Sequence, residues 1–248
     1  MDRATFEEQA TEFAQEIATL LDTTLVGEIK ASAFEINRET LRAVIKRSKQ
    51  LEIGSSKSNK LQLACEFRLC TNSTKKHLAI ESSTFKVQYQ SGQKYRPIVR
   101  FEYDRNSRNK PASHFQFHSD SVPLGLLLAR AGNYDAAAQQ QDIHYPMGDE
   151  RFRVCLEDVI ELLANEFNAQ THDGWQQHIE RGRNRYLSKQ AETVIRKNPD
   201  LAIKLLEQQG YKVKPPARYP LWKRLKSRMS QIFHFRDSGR FDGSVKSF

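Results

Sequence analysis

Leu61-Gln62-Leu63-Ala64-Cys65-Glu66-Phe67-Arg68-Leu69 sets an apolar side chain at alternate positions, with mostly polar residues between. An extended chain turns successive side chains to opposite sides, so this stretch reads as a strand with one face in a core and one in water. Upstream the period is different. Phe6, Ala10, Phe13, Ile17, Leu20 and Leu21 recur at helical spacing behind Thr5-x-x-Glu8, the pattern of a capping box opening an amphipathic helix that ends near Asp22. Residues 25–36 are ambiguous. Leu41, Val44 and Ile45 share a helical face, which predicts a second helix over 39–49 with a basic opposite side. The polar cluster 54–59 is a turn or loop.

Downstream, period two persists. Leu78 and Ile80 begin an extended segment that Phe85, Val87 and Tyr89 continue after a shift of phase, which predicts a bulge near Ser82 and Ser83 or two separate strands. Ser91-Gly92 turns the chain, and Val99, Phe101 and Tyr103 then alternate with Arg100, Glu102 and Asp104. After a polar loop over 105–111, Phe115 and Phe117 alternate with His114, Gln116 and His118. Connections this short favour an antiparallel meander with one apolar and one polar face.

Helical spacing returns afterwards. Residues 124–131 are a short apolar segment, 136–141 a weak Ala/Gln stretch, and Leu156, Val159, Ile160, Leu163 and Phe167 a clear stripe. Asp173 reads as the N-cap of a helix seamed by Trp175, Ile179, Gly182 and Tyr186. Asn198-Pro199 opens a last helix over 201–209, stopped by Gly210. The order predicts an α+β fold: an antiparallel sheet flanked by N-terminal and C-terminal helices, in a single domain over 1–210. A basic Pro-containing linker over 211–220, an amphipathic helix over 221–235 and a disordered end over 236–248 complete the expected organisation.

With 38% hydrophobic and 28% charged residues, the 248-residue chain has enough apolar content for a core, although its mean hydropathy of -0.69 is polar. No run approaches the ~20 apolar residues needed to cross a bilayer, and the acidic start at Met1–Glu8 lacks the layout of a secretory signal. Cys65, Cys70 and Cys155 form neither a CxxC pair nor an even disulfide set, which suits a reducing cytoplasm. The net charge of +9 is unevenly held: residues 211–248 contain ten Lys and Arg against Asp237 and Asp242 and so carry +8. Arguments for nucleic acid from overall charge therefore do not extend to the body of the chain.

From Val99 the chain resembles a group of bacterial proteins, mainly actinobacterial, that have no assigned activity. The resemblance rests on Phe101-Glu-Tyr-Asp104, His114-Phe-Gln-Phe-His118, Ile143-His-Tyr-Pro146, Arg151-Phe-Arg-Val-Cys-Leu-Glu-Asp158, Trp175 and the 199–210 helix, about half the chain. It implies a shared fold and brings no mechanism with it.

Three features could carry function. On a strand, His114, Gln116 and His118 project together, and Arg100, Glu102 and Asp104 line the same side if the preceding strand is the hairpin neighbour. Two imidazoles beside a carboxylate and a guanidinium suit a His-dependent RNase-like or phosphoesterase reaction, toxin-like in kind, with one His as base, one as acid and Arg100 or Arg151 on the phosphate. His144, from the next loop, could approach. The same pattern is also what any sheet with one wet face shows. Second, Arg151 and Arg153 precede Glu157 and Asp158 and could clamp an anion, although carboxylates in a helix's first turn already suit its dipole. No spacing calls for a metal or a cofactor.

The third feature is the tail. From Pro220, Leu221, Trp222, Leu225, Met229, Ile232 and Phe233 fall within roughly 120° of helical arc, with Arg224 opposite and Lys226 and Arg228 flanking. With Lys223, these residues suit a protein partner or an anionic membrane surface, and docking on the chain's own domain is the plain alternative. Nucleic acid ranks third, because it does not require so continuous an apolar stripe. The resulting expectation is a cytoplasmic binding or regulatory protein, peripheral at the membrane if its tail engages lipid, with an enzyme as the competing class.

Overall fold

The computed structural model describes residues 1–54, 58–147 and 153–214. Arg151 and the expected tail helix over 221–235 lie outside them, as does the linker from residue 215. The chain divides into two compact units, Met1–Lys189 and Gln190–Phe248.

The first unit is α+β. Helix α1 (Arg3–Thr24) leads into β1 (Gly27–Asn37), β2 (Arg42–Ile53), β3 (Ser58–Thr71), β4 (Leu78–Ser91), β5 (Lys94–Asp104) and β6 (Ser113–Phe117). Helices α2 (Val122–Arg130) and α3 (Tyr134–Ala138), a short 3-10 turn (Gln140–Asp142) and β7 (Tyr145–Pro146) follow. Then come α4 (Leu156–Glu166) and α5 (Trp175–Lys197). The seven strands form one antiparallel sheet in chain order.

One sheet face is dry. Leu61, Leu63, Cys65, Phe67 and Leu69 of β3 are buried in one cluster with Phe85, Val87 and Val99, under Phe6, Ala10, Ile17 and Leu21 of α1 and Leu156, Val159, Ile160 and Leu163 of α4. Phe67 stands edge-on to Phe13 at 5.2 Å and to Phe85 at 5.4 Å, a preferred arrangement of ring quadrupoles.

Several boundaries differ from the sequence reading. The cap of α1 is Asp2, whose carboxylate accepts from the Thr5 backbone N–H at 2.8 Å, and the helix continues to Thr24. The predicted helix over 39–49 is instead most of β2. In the register with β3, Ala43, Ile45, Arg47, Lys49 and Leu51 share the inner face, so two cations interrupt the apolar series and hide its alternation. They are accommodated at the C-terminal end of α1. Lys49 is buried and donates to the Leu21 carbonyl at 3.0 Å, while Arg47 meets Asp22 at 2.8 Å. The carbonyl end of a helix dipole favours positive charge.

The phase shift in β4 is a bulge within one strand. Arg68 opposes Ser82 and Leu69 opposes Ile80, which leaves Glu81 as the extra residue. Helix α4 begins at Leu156, with Glu157 and Asp158 in its first turn as expected and Asp158 accepting from the Cys155 backbone N–H at 3.1 Å. Helix α5 starts at Trp175, so Gly174, at φ 75°, rather than Asp173 stands next to its first turn.

In the second unit, the end of α5 is followed by α6 (Pro199–Gln208). Gly210, at φ 90°, marks the stop expected there. Val194, Ile195, Leu201, Leu205 and Leu206 are exposed.

Candidate functional site: a closed polar cluster on the outer sheet face

The β5–β6 register opposes Arg100 to Gln116 and Glu102 to His114. Opposed residues share a face, so these four stand on the other side of the sheet from Phe101 and Phe115. Glu102 is the hub. Its Oε1 lies 3.1 Å from Arg100 Nε, and its Oε2 lies 3.0 Å from Lys110 Nζ and 3.1 Å from His114 Nε2. These partners, His114 first, hold the carboxyl down at about 2 from an ordinary 4.5, against the opposing effect of burial.

His114 is fully buried, and its Nδ1 lies 2.9 Å from the Pro111 carbonyl oxygen. Both ring nitrogens are thus engaged within the fold and the side chain has no exposed surface, so no ring nitrogen is placed to meet a substrate, which a general base requires.

A second layer closes the corner. Gln116 Oε1 accepts from Arg100 Nε at 2.9 Å and from its Nη2, and Gln116 Nε2 donates to His144 Nε2 at 3.3 Å. The His144 ring lies 4.7 Å from that of His114, tilted by 56°. Burial, and then the neighbouring His114, push His144 below its ordinary value, in accord with a nitrogen that accepts. His118 lies just past the end of β6, its backbone N–H on the Ile98 carbonyl at 2.9 Å. Its Nε2 is buried without a hydrogen-bond partner among the described residues, and burial followed by Arg100 lowers its pKa.

His144 is supplied by the segment between β6 and β7. Gln140, buried, clips it together by accepting from the Ser121 backbone N–H at 2.8 Å and donating to the Ser121 carbonyl at 3.0 Å. Strand β7 then seats Tyr145 on Phe115, ring centroids 5.1 Å apart and nearly parallel at 17°.

The fold thus gathers Arg100, Glu102, His114, Gln116 and His144, and places His118 at their margin. Asp104 is used elsewhere, accepting from the Asn106 backbone N–H at 2.9 Å to shape the following turn. Lys110 and Gln140 were missed: Lys110 reaches Glu102 and Gln140 reaches Ser121, each from a segment with no periodic signal. The predicted Arg153 anion clamp is also occupied. Its guanidinium lies over the rings of Tyr103 at 4.7 Å and Tyr186 at 5.4 Å, and its Nε donates to the Tyr186 hydroxyl at 2.9 Å. The crevice beside it, lined by Ser83, Tyr103, Ser113 and Met147, leaves no space for a water molecule to enter.

Among the described residues, no group of three or more His, Cys, Asp or Glu side chains is arranged to hold a metal ion. No protein family, curated protein or solved structure matches this chain.

Proposed function

We propose that the chain is a binding protein that attaches to an anionic membrane surface through its basic C-terminal segment. The observation that carries this reading is the division of charge between the two compact units. Residues 190–248 hold thirteen Lys and Arg against five Asp and Glu, +8 of the net +9, which leaves the larger unit close to neutral.

Two further features support it. In the sequence, Lys223, Arg224, Lys226 and Arg228 are interleaved with Trp222, Leu225, Met229 and Phe233, the mixture that places basic groups among lipid headgroups and apolar groups beneath them. Each basic residue near an acidic leaflet contributes about 1 kcal/mol. In the body, by contrast, the polar cluster that could have served an enzyme is closed around His114. No helix among the described residues is long and apolar enough to cross a membrane, so the attachment proposed is peripheral.

Co-sedimentation with vesicles tests the reading. The full chain is expected to pellet with phosphatidylserine-containing vesicles and not with phosphatidylcholine alone, and to be released by high salt. A chain ending at Gly210 is expected to stay in solution. Equal behaviour of the two chains overturns the proposal. Loss on truncation of a co-purifying protein, without any vesicle binding, reassigns the segment to a protein groove, which the same chemistry would suit.

A further inference from the structure

Strand β1 stands at the end of the sheet and pairs only with β2. Among the described residues, nothing pairs with its other side. All of Gly27–Asn37 is exposed apart from Ile29 and Ile36, which are half-buried, and Phe34 is 40% exposed. An unpaired strand of eleven residues offers its backbone N–H and C=O groups to another strand.

The pairing with β2 shows which way each side chain of β1 turns. Ile29, Ser32, Phe34 and Ile36 oppose Lys49, Arg47, Ile45 and Ala43 and share the inner side. Ala31, Ala33 and Glu35 oppose Ser48, Lys46 and Val44 on the outer side, and the register step between Ile29 and Ala31 sets Lys30 beside Ala31. Two copies of the strand can meet antiparallel only about a two-fold axis normal to the sheet, with inner residues opposite inner and outer opposite outer.

Every two-fold centred on a residue satisfies that condition, so the charges decide among them. A two-fold at Ser32 sets Glu28 against Glu35 twice, and one at Phe34 sets Glu28 against Glu39 twice. A two-fold at Ala33 sets Lys30 against Glu35 twice, Ile29 against Ile36 twice, and Phe34 over Ser32 twice. We propose that two copies of this chain join edge to edge through β1, antiparallel about Ala33, with each Lys30 facing the other copy's Glu35. A lysine and a bulge on an edge ordinarily discourage pairing. Within its own chain Lys30 Nζ lies 2.6 Å from Glu28 Oε2. Among the two-folds centred on 32–34, which engage most of the strand, both are matched in the one at Ala33 alone, because the bulge lets Lys30 and Ala31 together oppose one residue.

Analytical ultracentrifugation of the full chain over a range of concentrations tests the proposal, with a reversible dimer expected. Lys30→Glu puts like charges opposite each other at two places and is expected to weaken the dimer about tenfold or more. Lys30→Glu combined with Glu35→Lys is expected to restore it. Ala33→Cys, at an exposed position on the axis, is expected to form an interchain disulfide through the introduced thiols under mild oxidation. A monomer at every concentration overturns the proposal. So does a dimer indifferent to both charge variants in which Ala33→Cys stays unlinked.

Discussion

Strands β5 and β6 bury side chains on both of their faces, and the two faces use different physics. Phe101 and Phe115 belong to the hydrocarbon layer that includes Phe67, Val87 and Leu163. Their immediate neighbours, Glu102 and His114, are closed over by Lys110, Gln116 and His144 through charge and hydrogen bonds. Burying hydrocarbon is favourable roughly in proportion to area and does not depend on pH. Burying polar groups is favourable only while every group keeps its partner, so the outer corner depends on the completeness of its network. The inner face can therefore lose a part and retain the rest, whereas the outer corner depends on one carboxylate.

Removing a ring from the inner face has the largest expected effect. Phe67→Ala, which deletes both edge-on ring contacts, is expected to lower the unfolding free energy by about 3–5 kcal/mol in urea titrations, equally at pH 7 and pH 5.

Glu102→Gln sharpens the contrast. It leaves Arg100, Lys110 and His114 facing a neutral amide, and a loss of about 2 kcal/mol is expected, together with faster amide exchange across residues 118–147. Its pH signature is distinctive. A carboxyl held at about 2 instead of 4.5 adds stability that is complete above about 4.5 and is lost as pH falls towards 2. That acid limb should flatten in the variant. His118 and His144, both lowered from 6.5, act in the same sense: their contribution is present above 6.5 and declines as pH falls below it. An acid limb unchanged by Glu102→Gln would mean that the carboxylate is not the hub.

The smallest effect belongs to the charges on the inner face of β2. Lys49 is buried and its pKa is lowered, by burial first, with Asp22 opposing. Lys49→Met is expected to leave stability unchanged or to raise it by up to about 1 kcal/mol, because the desolvation cost disappears and Arg47 keeps its pairing with Asp22. A loss of several kcal/mol would show that the contact to the Leu21 carbonyl is worth more than the burial it requires.

The same contrast explains what could be read from the sequence. Strands β3, β5 and β6 were legible because their dry face is almost wholly apolar and the wet face polar. Helices α1 and α4 were legible because each buries a single stripe. Strand β2 was misread because Arg47 and Lys49 occupy positions on the dry face, and only the end of α1 makes that tolerable. Strand β1 gave no period because neither of its faces is buried and a bulge breaks the alternation it has. Glu102 and His114 could be placed together from strand spacing alone. The closure over them could not, since it depends on Lys110, Pro111 and His144, which come from connecting segments without a period.

Pairing each strand with its neighbour in the chain has a consequence for how the molecule forms. Each rung of the sheet closes a short stretch of chain, so little entropy is spent before the next contact rewards it. The exception is α4, whose Val159, Ile160 and Leu163 complete the dry face only after the whole meander and its cover have been laid down. Helix α1 precedes every strand, so during synthesis each new hairpin finds an apolar surface already waiting. Helix α1, made before these strands, thus supplies one part of the sheet's roof and α4 the last.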